Sequence, residues 1–238
     1  MKKILLAAVI ITLTGFTYAL DFSLSAGGGG LLGYTFTRYT LKGGNATSVQ
    51  SMDRINYAGF LFFDAAYAEL SVLIQGGYNS YTEKMTDLPA ENGTGSEISL
   101  GFSLLGKYPF NINETISWFP MLGVEYQIAL KQRRKPDDGV EYNRSNGKGN
   151  SATDVDKNGN SYPLSAFNSF WIDVGAGLDY NFTGSLFLRT ELLFGFRLPT
   201  SYEMGALEMA KKSFNIDNPK LRGLTGSPNI KIGIGYRF

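Results

Sequence analysis

The side chains able to do chemistry in this chain are charged ones set at every second position of otherwise apolar stretches. Six are carboxylates, Glu69, Glu97, Glu125, Asp173, Asp179 and Glu191, and five are cations, Lys107, Arg189, Arg197, Lys231 and Arg237. With 0 histidines and 0 cysteines, the chain has no imidazole base or metal ligand, no thiol nucleophile and no disulfide staple. Glu125 or Glu191 acting as a catalytic carboxylate would need a nucleophile or second base beside it, and no such constellation accompanies either. The near balance of signs reads instead as pairing, because a lone ion withdrawn from water loses several kcal/mol of solvation.

Two further patterns bear on ligands. Asp154, Asp156 and Asn158 have the one-three-five spacing of a calcium loop, with Gly159 at the sixth position and Asn160 after it. Ser165 stands where the bidentate glutamate belongs, so the only cofactor expectation is a weak calcium site, or a turn-rich loop with none. The basic run Lys131-Gln132-Arg133-Arg134-Lys135 reads either as lipid-phosphate contact or as a solvated loop base.

These residues need elements that place them on one face. The last ten residues, Asn229 to Phe238, supply the pattern. Ile230, Ile232, Ile234, Tyr236 and Phe238 share one face, while Asn229, Lys231, Gly233, Gly235 and Arg237 share the other. A side-chain period of two is a strand, here about long enough to cross a bilayer core on a tilt. In lipid such a strand must close a barrel with others, since unpaired amides are not tolerated there.

The pattern recurs upstream. It predicts strands over Phe22–Phe36, Ile55–Phe63, Ala66–Tyr78, Glu97–Lys107, Ile116–Ile128, Phe170–Tyr180 and Leu186–Leu198, eight with the last. Phe60 to Phe63 is apolar on both faces, leaving that strand's orientation open. Pro120 withholds a ladder donor and predicts a bulge, and Gly27–Gly30 predicts a sharp bend. Short turns, one near Asp64-Ala65, alternate with long connections at Arg38–Arg54, Tyr81–Ser96, Lys131–Phe167 and Pro199–Pro228, the last holding a short helix from Ser201 to Lys212 capped by Ser201.

Met1-Lys2-Lys3, the apolar run Ile4 to Phe16 and Thr17-Tyr18-Ala19 read as a signal peptide over residues 1–19, leaving 20–238 as the barrel domain. Lys2 and Lys3 leave with it, so 20 of the 22 basic residues face 21 acidic ones and nothing pulls the near-neutral chain toward nucleic acid. A soluble eight-stranded barrel would show the same alternation turned inside out. Loop asymmetry, aromatics at strand ends and the glycines and mixed charges of the polar face favour the membrane form.

On these strands, and on the terminal Tyr236-Arg237-Phe238, the chain resembles the small outer-membrane barrels of the OmpA, OmpX and OmpW class over essentially its whole mature length. The resemblance implies an all-β, antiparallel, up-and-down transmembrane barrel of eight strands, with four long extracellular loops, short periplasmic turns and both mature termini in the periplasm. It implies that Tyr236 and Phe238 are read by the barrel-assembly machinery. The expected role is non-enzymatic, with loops contacting outer-membrane lipid or an extracellular or host ligand around a side-chain-filled lumen. The alternative it implies is a narrow OmpW-like channel for small or hydrophobic solutes.

Overall fold

The computed structural model describes residues 24–43, 46–65, 67–85, 89–137, 142–145, 148–149, 163–205 and 220–238. The expected signal peptide at 1–19, the first two residues of the expected opening strand and the expected calcium loop at Asp154, Asp156, Asn158 and Asn160 lie outside them.

Eight long strands form the barrel. They are β1 (Leu24–Gly43), β2 (Ala46–Ala65), β3 (Ala68–Met85), β4 (Glu91–Lys107), β5 (Ile116–Pro136), β6 (Ser169–Asn181), β7 (Leu186–Arg197) and β8 (Lys220–Arg237). Each pairs antiparallel with its sequence neighbour, β5 with β6 directly, and β1 with β8 from Ser25 opposite Arg237 to Lys42 opposite Lys220. The ring is closed and up-and-down, so both edges of every barrel strand are paired, as the hydrocarbon core demands.

The faces are those of a transmembrane barrel. Leu61, Ile74, Leu122 and Leu192 are 70%, 64%, 63% and 61% exposed, whereas Glu69, Glu191 and Lys231 are at most 1% exposed. An apolar exterior around buried charges is the inverse of a water-soluble barrel, and it fits a solvent of lipid tails. Phe60 and Phe62 of the ambiguous strand face inward, while Leu61 and Phe63 face out.

The outer connections, one turn and the bulge differ from expectation. The first two outer connections are largely strand: β1 and β2 stay paired to Gly43 opposite Ala46, and β3 with β4 to Glu83 opposite Glu91. Lipid-facing alternation stops at the membrane edge, but the hydrogen-bonded ladder does not, so apolar periodicity underestimates strand length. Asp64 is inside β2 and points inward; the strand runs to Ala65, and Tyr67 is the described turn residue after it. Pro120 carries no bulge and pairs with Ala176 in register. Its carbonyl accepts from Tyr108 N–H at 3.4 Å, so its missing donor faces the region where β4 has already ended. The bulge lies instead at Leu130, because Ile98 pairs with Lys131 while Ser99 pairs with Ala129.

Glycines on the inward faces make room for rings. A Cβ on Gly177 would lie 2.2 Å from the Phe119 ring, one on Gly235 2.3 Å from the Phe187 ring and one on Gly27 2.5 Å from that of Phe62. Gly177→Ala is therefore expected to lower the unfolding free energy by about 1–3 kcal/mol through overpacking. Urea titration followed by gel mobility would measure it, and unchanged stability would mean that ring and glycine do not compete for space.

At the turn end, side chains replace missing backbone partners. Asn113 Oδ1 accepts from the Thr115 and Ile116 amides at 2.9 and 2.8 Å, and Thr183 Oγ1 from the Ser185 and Leu186 amides at 3.4 and 3.0 Å. The described part of the short helix spans 201–205. Thr200, not Ser201, caps it: Glu203 N–H donates to Thr200 Oγ1 at 3.3 Å and Thr200 N–H donates to Glu203 Oε2 at 2.8 Å. The reciprocal pair satisfies two amides that a lone Ser201 cap would not.

Candidate functional site in the barrel lumen

Inward positions of all eight strands converge on a lumen that is filled in layers. At the turn end, Arg189 of β7 is 2% exposed and uses its whole fork. Nε and Nη2 donate to Asp179 at 2.7 and 2.7 Å, Nη1 to Glu69 at 2.7 Å, and Nη2 also to Asp64 at 2.9 Å. The planar guanidinium lies 4.8 Å from the Phe62 ring centre and 5.1 Å from those of Phe119 and Phe187. Cation–π attraction and charge-assisted hydrogen bonds thus act on the same group. Lys107 binds the same Asp64 oxygen, Oδ2, and sits 4.7 Å over Phe119.

Above this plug, Lys231 and Glu191 approach to 3.6 Å, with Lys231 5.5 Å over the Phe60 ring. Glu125 accepts a hydrogen bond from Gln127 Nε2 and lines, with Asp173, Lys231 and Trp171, a cavity of about 20 Å³. Leu105, Phe119, Met121 and Leu193 form one apolar cluster here, and Leu31, Phe60, Phe62, Leu73 and Phe187 another.

The loop end opens into a second pocket of about 110 Å³, lined in part by Tyr81, Glu97, Arg134, Arg197, Tyr202 and Glu203. Arg197 pairs with Glu203 and reaches the Tyr39 hydroxyl at 3.4 Å. Arg134 lies 3.9 Å over the Tyr81 ring and 3.4 Å from Glu83. Burial raises the Tyr81 pKa above its ordinary value, so the phenol under this arginine stays neutral. Between the cavities stands the Arg54–Glu97 ion pair at 2.9 Å, with Glu97 lining the outer pocket and Arg54 the inner.

The structure therefore brings Glu69, Asp179, Arg189 and Lys107 together, pairs Glu191 with Lys231, and holds Glu97 and Arg197 in separate outer pairs. Glu125 and Asp173 share the wall of the inner cavity. Arg237 stands apart from the paired groups, its guanidinium 5.2 Å over Phe187. Sequence reasoning missed Arg54 and Asp64, which had been assigned to a loop and a turn. Extending the inward parity of β2 by one residue beyond Phe63 and by one before Ile55 would have found both.

No family model and no curated protein matches the chain. Among solved structures it is similar to the outer membrane protein OprG of Pseudomonas aeruginosa, at 12% identity over 91% of this chain and 96% of that one, with a TM-score of 0.39. It is also similar to the N-terminal β-barrel domain of Pseudomonas aeruginosa OprF, at 13% identity over 87% and 97%, with a TM-score of 0.34. The outer membrane protease OmpT of Escherichia coli matches at 11% identity over 93% and 100%, with a TM-score of 0.38. The assignment as a small eight-stranded transmembrane barrel stands on this chain's own register and inverted burial.

Proposed function

We propose that this protein is an integral outer-membrane barrel whose lumen is shut by its own side chains and whose work is done at its outer end. The observation that carries this is the Arg189 plug, in which three carboxylates and three aromatic rings converge on one guanidinium inside the barrel. Eight strands leave an interior just wide enough for side chains, so such a plug occupies the whole cross-section. The reading is non-enzymatic: the inward carboxylates are engaged with or ranged beside cations, and the buried hydroxyls next to them, Ser25 on Asp64 and Ser71 on Glu69, are taken up as hydrogen-bond donors within the plug. The paired strands that rise beyond the apolar belt present the outer connections for contact with lipid or an extracellular partner. Both mature termini then lie in the periplasm, after export and insertion by the barrel-assembly machinery.

A second reading, a narrow channel for small or hydrophobic solutes, draws on the outer pocket of about 110 Å³ with Tyr81, Phe167 and Tyr202 in its wall. Planar-bilayer recording on the refolded protein separates the two. The closed-lumen reading expects no steady unitary openings from wild type; reproducible openings would overturn it and favour the channel.

A further inference from the structure

On the outer halves of β3, β4 and β5 the charges are sorted by face. The unpaired residue at the Leu130 bulge shifts parity, as one extra residue in a strand must. Leu130 and Lys131 are both exposed, and beyond them Lys131, Arg133 and Lys135 take the outer face while Gln132 and Arg134 turn inward. The basic run is thus divided by the bulge. On the same outer face β3 carries exposed Ser80, Thr82 and Lys84, and β4 exposed Asn92 and Thr94. The acids of these strands turn to the opposite face: Glu83 and Glu91, the latter exposed, lie by Arg134, and Glu97 pairs with Arg54.

Lys84, Lys131 and Lys135 have no side-chain partner among the described residues. Arg38, on the neighbouring β1–β2 hairpin, is already held by Asp53 at 2.9 and 3.0 Å. Exposed Asp137 sits only at the tip, past Lys135. Lys131 pairs with Ile98 at the upper edge of the belt, where Ile98 is 42%, Leu130 43% and Tyr78 67% exposed. Lys135 is about 13 Å farther along the strand at a strand's rise per residue.

Resting on the outer-membrane reading above, we propose that this face binds the phosphorylated headgroup of an outer-leaflet glycolipid. The phosphates meet Lys131 and Lys135, the headgroup hydroxyls meet Ser80, Thr82 and Thr94, and the acyl chains run down over Tyr78, Ile98 and Leu130. Cations set immediately above an apolar belt fit a ligand with anionic and apolar ends in that order. A soluble polyanion would use the cations and leave the belt unused.

Native mass spectrometry on the refolded mature chain tests this, titrating bis-phosphorylated lipid A and its dephosphorylated form. Wild type is expected to prefer the phosphorylated lipid by about tenfold, as a few surface lysines provide. The preference is expected to vanish in Lys131→Ala/Lys135→Ala, to survive in Lys131→Arg/Lys135→Arg and to be unchanged in Arg38→Ala. The single variants Lys131→Ala and Lys135→Ala, each expected to weaken it partly, serve if the double variant does not fold. Heat-modifiable gel mobility of each sample separates failure of the barrel from failure of the site. An alanine double variant that keeps the preference, or a soluble sulfated polysaccharide that binds wild type as tightly as the phosphorylated lipid, would overturn the proposal.

Discussion

Arg189→Ala is expected to destabilise the folded barrel by about 3–5 kcal/mol, the penalty for breaking a buried ion pair on one side. The substitution takes the cation from Asp179 and Glu69, 4% and 0% exposed, and leaves Asp64 with Lys107 and the Ser25 hydroxyl. It also removes the cation from between Phe62, Phe119 and Phe187. The loss comes mainly from the uncompensated carboxylates. Adding Glu69→Gln and Asp179→Asn to Arg189→Ala should therefore recover part of the stability, whereas Arg189→Lys should keep the charge and lose the bidentate fork. Urea unfolding in lipid vesicles, read as heat-modifiable mobility, measures all three. A stable Arg189→Ala barrel would show that the plug is incidental to the fold.

The second large effect is expected from deleting Phe238, and it should separate assembly in the cell from stability in the tube. Phe238 is 75% exposed, packs edge-to-face on Tyr236 at 5.5 Å, and donates its N–H to Leu24 O at 2.9 Å. Its deletion removes one ladder bond beside the β1–β8 seam, about 0.5–1.5 kcal/mol, and protein refolded from urea should still form the barrel. In cells, by contrast, the variant should be nearly absent from the membrane fraction as folded protein, because the terminal aromatic is the feature that resembles an assembly signal. Wild-type levels of heat-modifiable protein from the deleted gene would remove that role from Phe238.

The facing of most strands was legible because lipid imposes a strict period of two from outside. Glu69, Glu97, Glu125, Asp173, Asp179, Arg189, Glu191 and Lys231 were all found by parity alone. Phe60 and Phe62 were not, because they turn apolar rings into a lumen that receives them with the Lys231 and Arg189 cations and with the space left by Gly27 and Gly233 on the two seam strands. Arg54 and Asp64 were hidden by strand ends drawn where apolar alternation fades, although pairing continues in water and at the turn. The Leu130 bulge is visible in hindsight as a slip in parity between Ile128 and Lys131. Pro120 drew attention away from it, since a missing donor predicts a bulge only where a partner strand is present to receive it.

The central claim is that the barrel is inverted, apolar toward lipid and polar within, and its two tryptophans test this directly. Trp118 is 41% exposed on the outer face of β5, stacked on Phe110 at 5.0 Å; Trp171 is 4% exposed inside, its indole N–H donating to Ser169 Oγ at 2.9 Å. Trp171→Phe and Trp118→Phe give two single-tryptophan proteins to refold into vesicles of acyl-chain-brominated lipid. Strong quenching of Trp118 by the bromines and nearly none of Trp171 is the expected result. Quenching of Trp171 with Trp118 unaffected would contradict it.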